Sequence, residues 1–191
     1  KSRLAQAGVE VINGEAFIID KNRVRCGEVV YESEHLLVCT GSETFVPPIP
    51  GVDRVPYWTH KEALEVKELP RSLTILGGGV IGVEFASYFN SLGVKVTVVE
   101  MMDEILSGMD RELAALLREE YSKKGVSFLL SRKVAAVKEA DGEVVVEFEE
   151  DGVQPIASEK LLLSVGRRPV VKGFGLENLN LEVTKQGYPL V

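Results

Sequence analysis

Gly77, Gly79 and Gly82 stand in the pattern G-x-G-x-x-G, directly after the apolar run RSLTIL and at the start of VIGVEFASYFNSLG. Glycine at the first position lets the chain turn tightly, at the second lets bare backbone approach a diphosphate, and at the third lets helix and strand pack closely. The helix N-terminus then offers unpaired N–H groups and a partial positive charge. Glu100 ends the β-branched run VKVTVVE, 18 residues beyond Gly82. A carboxylate there can accept hydrogen bonds from both hydroxyls of an adenosine ribose and would repel a 2′-phosphate. Met101, Met102 and Asp103 supply no base to reverse this, so the spacing predicts NAD(H) over NADP(H) by about 2–4 kcal/mol. A flavin adenine dinucleotide or S-adenosylmethionine site can use the same acid, so the fingerprint leaves the ligand open. A glycine-rich connector without a ligand would leave Glu100 unexplained. Glu84, in the first turn of the helix, either complements its dipole or reaches toward the reactive end of a dinucleotide.

Strands and helices alternate around these residues. Ile81, Phe85, Tyr88, Phe89 and Leu92 form the expected apolar stripe of the first helix, closed by Gly93. Asp110 is the expected N-cap of a second helix with Leu113, Leu116, Leu117 and Tyr121 on one face. VSFLL, KVAAVKE and EVVVEFEE follow as strands, with Asp141-Gly142 and Asp151-Gly152 as turns, and LLLSVG is apolar on both faces like a central parallel strand. This order predicts an α/β domain: a doubly wound parallel sheet of the Rossmann-like, FAD/NAD(P)-binding type, with a small antiparallel meander over one face.

SEHLLVCTG, residues 33–41, returns as SEKLLLSVG, residues 158–166. GVEVINGEAFII, RVRC and VVYE precede the first copy as another meander, so residues 8–41 retrace the back half of the second domain. Counting back from Gly41 as far as Gly77 precedes Gly166 lands before residue 1. The expectation is a partial second dinucleotide-binding domain beside a whole one: 1–48 the back part of an FAD-binding domain, 49–70 a proline-stiffened interdomain connection with a short helix HKEALEV, 71–169 an NAD-binding domain, and 170–191 a return segment toward the first.

Composition removes other classes. Against 29 Asp and Glu stand 22 Lys and Arg, for a net charge of −7, so no broad basic surface awaits nucleic acid. Apolar runs fall far short of the roughly 20 residues that span a bilayer, so no membrane partner is expected. Cys26 and Cys39 fit neither a redox CxxC pair nor a zinc knuckle and read as small reduced core residues. His35 and His60 read as surface residues, and no metal site is expected.

The segments CTGS with PxIPG, ILGGGVIGVEFA, VVEMMDEILSGMDREL and SVGRRP with GLE resemble the flavin-dependent pyridine nucleotide-disulfide oxidoreductases, most closely the dihydrolipoyl dehydrogenases among them, across essentially the whole chain. The resemblance implies a cytoplasmic homodimeric flavoprotein that passes electrons from dihydrolipoamide on a carrier protein, through a disulfide and FAD, to NAD. It implies that Gly77, Gly78, Gly79, Val80, Ile81, Gly82, Val83 and Glu84 bind NAD, that Glu100 holds the adenine ribose, and that Val134 and Gly166 line the same site. Gly14, Thr40, Gly41 and Ser42 match segments that touch FAD. The family's N-terminal FAD fingerprint, its C-x4-C redox pair and its C-terminal dimerisation domain have no counterpart here. The chain is therefore expected to be a central fragment that binds NAD(H) and carries no catalytic residue. Soluble transhydrogenases, mercuric and glutathione reductases and a non-catalytic NAD-sensing module are the alternatives.

Overall fold

The computed structural model describes residues 2–182, 184 and 188–190, which divide into two compact units, Lys1–Glu43 with Pro169–Val191 and Thr44–Arg168. Of the expected return segment, residues 183, 185–187 and 191 lie outside the described residues.

The first unit holds α1 (Ser2–Gln6) and the strands β1 (Ala16–Ile18), β2 (Arg23–Cys26) and β3 (Val29–Glu32), paired antiparallel in that order as the expected meander. Ile18 is buried and ties β1 to the later part of the unit: its N–H donates to Phe174 O at 2.7 Å, and its carbonyl accepts from Asn178 Nδ2 at 2.7 Å. The expected strand HLLVCTG does not form. Residues 35–41 have no strand structure, Leu37 is 86% exposed, and Cys39 is exposed where a core position was expected. A strand exists only where a neighbour takes up its N–H and C=O groups, and no strand lies along 35–41 among the described residues.

β4 (Ser42–Thr44) leads into the second unit, which contains β5 (Tyr57–Trp58), α2 (His60–Leu64), β6 (Ser72–Leu76), α3 (Val80–Ser91), β7 (Lys95–Val99), α4 (Arg111–Lys123), β8 (Ser127–Leu129), β9 (Val134–Ala140), β10 (Glu143–Phe148), β11 (Ile156–Ser158) and β12 (Lys160–Leu163); β13 (Arg167–Pro169) leads back. Five parallel strands stand in the order β5-β12-β6-β7-β8. β12 is paired on both sides and Leu161, Leu162 and Leu163 are buried, which explains its unbroken apolar sequence. Alternate residues of the strands serve opposite faces. Leu73, Ile75, Val96 and Val98 pack with Phe85, Ala86 and Phe89 of α3, while Leu76, Val99, Leu161 and Leu163 pack with Val137, Val144 and Val146 of the antiparallel β9-β10-β11 meander. Asp141 and Gly142 make the β9–β10 turn with φ of 53° and 77°, the two positive values a tight hairpin needs. The doubly wound sheet and its covering meander are as the sequence pattern predicts.

Two helix faces differ from expectation. In α3, Phe85 and Phe89 face the sheet, but Tyr88 and Leu92 are about half exposed and Val83 is buried instead. The helix is covered on two sides, since Val83 meets Ile105 and Ala114 in a separate cluster. In α4, Asp110 caps as expected, accepting from Glu112 N at 3.0 Å and Leu113 N at 3.1 Å. Its buried line runs through Ala114, with Leu117 and Tyr121 packed beside it, leaving Leu113 67% and Leu116 55% exposed. Residues 49–70 also do more than connect. They contribute β5 at the sheet edge, a 3-10 turn Val52–Arg54, and α2, whose Thr59 and Glu62 form a reciprocal capping box. Val52 and Val55 are buried against the meander, and Val137 N donates to Pro50 O at 2.9 Å.

Candidate functional site

The glycine turn occupies the C-terminal end of β6, the middle strand of the five, beside β12, where ligands of open α/β sheets bind. Each glycine has its own reason. Gly77 has φ of 105°, and a Cβ on it would lie 2.6 Å from Ser164 O. A Cβ on Gly82 would lie 2.0 Å from Gly77 O. Gly79 is different: its φ of −73° suits any residue, and a Cβ there would meet nothing within 4 Å. Packing therefore does not demand glycine at 79, whereas a ligand brought close to the backbone would. Gly79 is also the N-cap of α3 and has no side chain to bond the first amides, so these point outward unsatisfied by the helix.

In front of the turn lies a cavity of about 830 Å³. Gly77, Gly79, Val80, Ile81, Glu100, Val134 and Gly166, all named by sequence, line it. Gly78, Gly82 and Val83 are buried behind the turn, and Glu84 is exposed and is not among the lining residues. Gly14, Thr40, Gly41 and Ser42 belong to the first unit. There Thr40 Oγ1 donates to Val170 O at 2.7 Å, Gly41 has φ of 73°, and Gly14 and Cys26 line a separate cavity of about 490 Å³.

The Glu100 carboxylate is more engaged than its spacing suggests. Oε2 accepts from Gly78 N at 2.6 Å and Oε1 from Met102 N at 2.8 Å. Each carboxylate oxygen retains a lone pair, so two ribose hydroxyls can still be accepted. The loop beyond Glu100 is fixed by Glu104, whose side chain is 10% exposed and bridges Arg118 through Oε1–Nε at 2.8 Å and Oε2–Nη2 at 3.0 Å while accepting from Ile105 N at 2.9 Å. The Arg118 guanidinium holds the Glu104 carboxyl below the usual carboxylate range.

Two parts of the wall escape sequence reasoning. Phe45 and the Pro47–Pro50 run form one side of the cavity, and the Arg168 guanidinium covers the Phe45 ring at 3.9 Å. Their proline content reads as a connector, and nothing local says that they fold against the turn. Arg132 and Lys133 reach the Glu100 end from the loop before β9. Lys133 pairs with Glu149 at 2.8 Å, while Arg132 bonds its neighbour Ser131 O at 3.2 Å. His60 also departs from the surface role expected of it: half-buried, it places Nδ1 3.1 Å from Thr44 Oγ1 and 3.3 Å from Arg167 Nη1.

A sheet-end glycine turn with an uncapped helix start, an open cavity and a carboxylate one strand away defines an α/β dinucleotide-binding unit. The model of the family described as pyridine nucleotide-disulphide oxidoreductase matches residues 1–191, and the chain belongs to that family. It is 36% identical over 192 residues to the dihydrolipoyl dehydrogenase of Haloferax volcanii, covering 95% of this chain and 40% of that protein. It is 39% identical over 186 residues to the dihydrolipoyl dehydrogenase of Acholeplasma laidlawii, covering 95% and 54%. The solved structure of the HOCl-induced flavoprotein disulfide reductase RclA from Escherichia coli superposes with a TM-score of 0.89 at 34% identity, covering 98% of this chain and 43% of that one. The chain thus spans 40% to 54% of the length of these relatives. Family membership implies the use of a flavin and a pyridine nucleotide. Among the described residues no helix is long and apolar enough to cross a membrane.

Proposed function

We propose that the second unit is the NAD(H)-binding part of a dihydrolipoyl dehydrogenase-like flavoenzyme. The observation that carries this reading is the open space beside Gly79, on a cavity that Glu100 also lines. The diphosphate would lie on Gly79 and the first amides of α3, the adenine ribose on Glu100, and the rest of the dinucleotide between Val80, Ile81 and Gly166. When bound, the nicotinamide supplies hydride exchange with a flavin. The first unit, with Gly14, Thr40, Gly41 and Ser42, would contribute to the FAD site of the whole enzyme, a cytoplasmic homodimer oxidising dihydrolipoamide on a carrier protein. The chain by itself is expected to bind NAD(H) without turnover. The likeness to RclA favours a second reading of the whole protein, a flavin disulfide reductase with another substrate.

Calorimetric titration with NADH and NADPH tests the nucleotide assignment. Glu100 opposes a 2′-phosphate and Arg132 partly offsets it, so NADH should bind at least about tenfold more tightly, roughly 1.4 kcal/mol. Equal affinities would remove the role given to Glu100, and no binding of either would remove the site.

A further inference from the structure

Both peptide groups at the head of the turn are held by groups far away in sequence. Gly77 N donates to Val99 O at 2.9 Å, and Leu106 N donates to Gly78 O at 2.8 Å. The peptide between them is gripped at both ends: Gly78 N donates to Glu100 Oε2 at 2.6 Å, and Gly77 O accepts from Ser164 Oγ at 3.1 Å. The Ser164 hydroxyl donates equally well to Leu76 O at 3.0 Å, so its one proton is shared between the last carbonyl of β6 and the first of the turn. Both acceptors lie where β6 runs into the turn, although Ser164 lines the cavity. Gly77 sits at φ of 105°, and Gly82 lies so near Gly77 O that a Cβ between them would have 2.0 Å. Rotation of this one peptide would thus move the carbonyl under the helix start and, with it, the amides beyond Gly79.

We propose that Ser164 is a positioning residue for the diphosphate of a bound dinucleotide: with Glu100 it clamps the Gly77–Gly78 peptide so that the amides at the start of α3 converge on one point. The inference rests on the dinucleotide reading above and adds to it a residue outside the glycine fingerprint. The ribose and adenine end rests on Glu100 and makes no use of Ser164. Ser164 therefore sets affinity for ligands that carry the diphosphate and not for adenosine alone.

The test uses the whole chain with ADP-ribose and adenosine as probes, titrated by NMR chemical shift. Ser164→Ala should weaken ADP-ribose about three- to tenfold, the scale of one net hydrogen bond, and leave adenosine affinity unchanged. Ser164→Thr, which keeps a hydroxyl, should restore ADP-ribose binding. The Gly78 amide should exchange with solvent faster in Ser164→Ala than in the unaltered chain, while the Val98 amide within β7 keeps its protection. If Ser164→Ala binds ADP-ribose as well as the unaltered chain, if adenosine affinity falls in step, or if Ser164→Thr behaves like Ser164→Ala, the clamp is overturned and the dinucleotide reading stands. Absence of ADP-ribose binding by the unaltered chain overturns both.

Discussion

Substituting alanine for Gly79 and for Gly82 should separate binding from folding within a single tripeptide spacing. At Gly82 the new methyl would lie 2.0 Å from Gly77 O and 2.7 Å from Ser164 Oγ. The first of these is backbone held by the clamp, so β6 and α3 must move apart. Overpacking of this kind costs about 1–3 kcal/mol, which for a domain of this size lowers the melting temperature by roughly 4–12 °C. At Gly79 the methyl meets no protein atom within 4 Å, and φ of −73° is open to alanine. Alanine is a poorer N-cap than glycine by roughly 0.5–1 kcal/mol, and the stiffer unfolded chain returns about 0.4–1 kcal/mol, so stability should stay within about 0.5 kcal/mol of the parent. The same methyl projects toward the space assigned to the diphosphate, so ADP-ribose affinity should drop at least about tenfold, or 1.4 kcal/mol. Scanning calorimetry and isothermal titration on both variants check this. Unchanged ligand affinity in Gly79→Ala, or equal loss of melting temperature in the two variants, would refute the division of roles.

Phe89 is fully buried between Trp58, Phe85 and Tyr88, so Phe89→Ala should cost about 3–5 kcal/mol in urea unfolding. Leu113→Gln, on the exposed side of α4, should change stability by less than about 0.5 kcal/mol; a core-sized loss would restore the face read from sequence. The depressed pKa of Glu104 means that its bridge to Arg118 stabilises above the ordinary carboxylate range and is lost as pH falls through the lower folded value. Urea unfolding at stepwise pH should therefore show Glu104→Gln to be less stable near neutrality by about 1–2 kcal/mol, with the gap to the parent closing in acid.

What was legible in the sequence was whatever a short stretch decides by itself. Gly77, Gly79 and Gly82 work within one turn, Asp110 caps the helix it precedes, Asp141-Gly142 makes its own hairpin, and Leu161–Leu163 announce burial on both faces. Failures came where a second element sets the outcome. Leu113 and Leu116 have helical spacing, but a helix touched along one narrow line can bury only one row, and here Ala114 lies on it. HLLVCTG has strand composition, yet composition pairs no backbone groups, and residues 35–41 pair with no strand among the described residues, though Thr40 and Gly41 meet Val170. The prolines of 47–50 stiffen the chain, as read, but stiffness does not say where a segment goes; Val52 and Val55 carry it onto the meander.

Glu100 joins these two kinds of information. Its distance from Gly82 predicts a ribose contact, and only the fold shows that its Oε2 also bonds the Gly78 amide at 2.6 Å. A carboxylate with both tasks makes an unusual forecast for Glu100→Ala. Were repulsion of a 2′-phosphate its only effect, truncation would improve NADPH binding. Because the Gly77–Gly78 peptide loses its grip at the same time, the gain for NADPH should be cut by about two- to tenfold, the scale of one net hydrogen bond, while NADH affinity should fall because its ribose contact goes too. Titration against Glu100→Gln, which drops the charge but keeps an acceptor for the Gly78 amide, separates the cases: Glu100→Ala should bind NADPH about two- to tenfold more weakly than Glu100→Gln, and equal NADPH affinity in the two variants would leave Glu100 with the ribose alone.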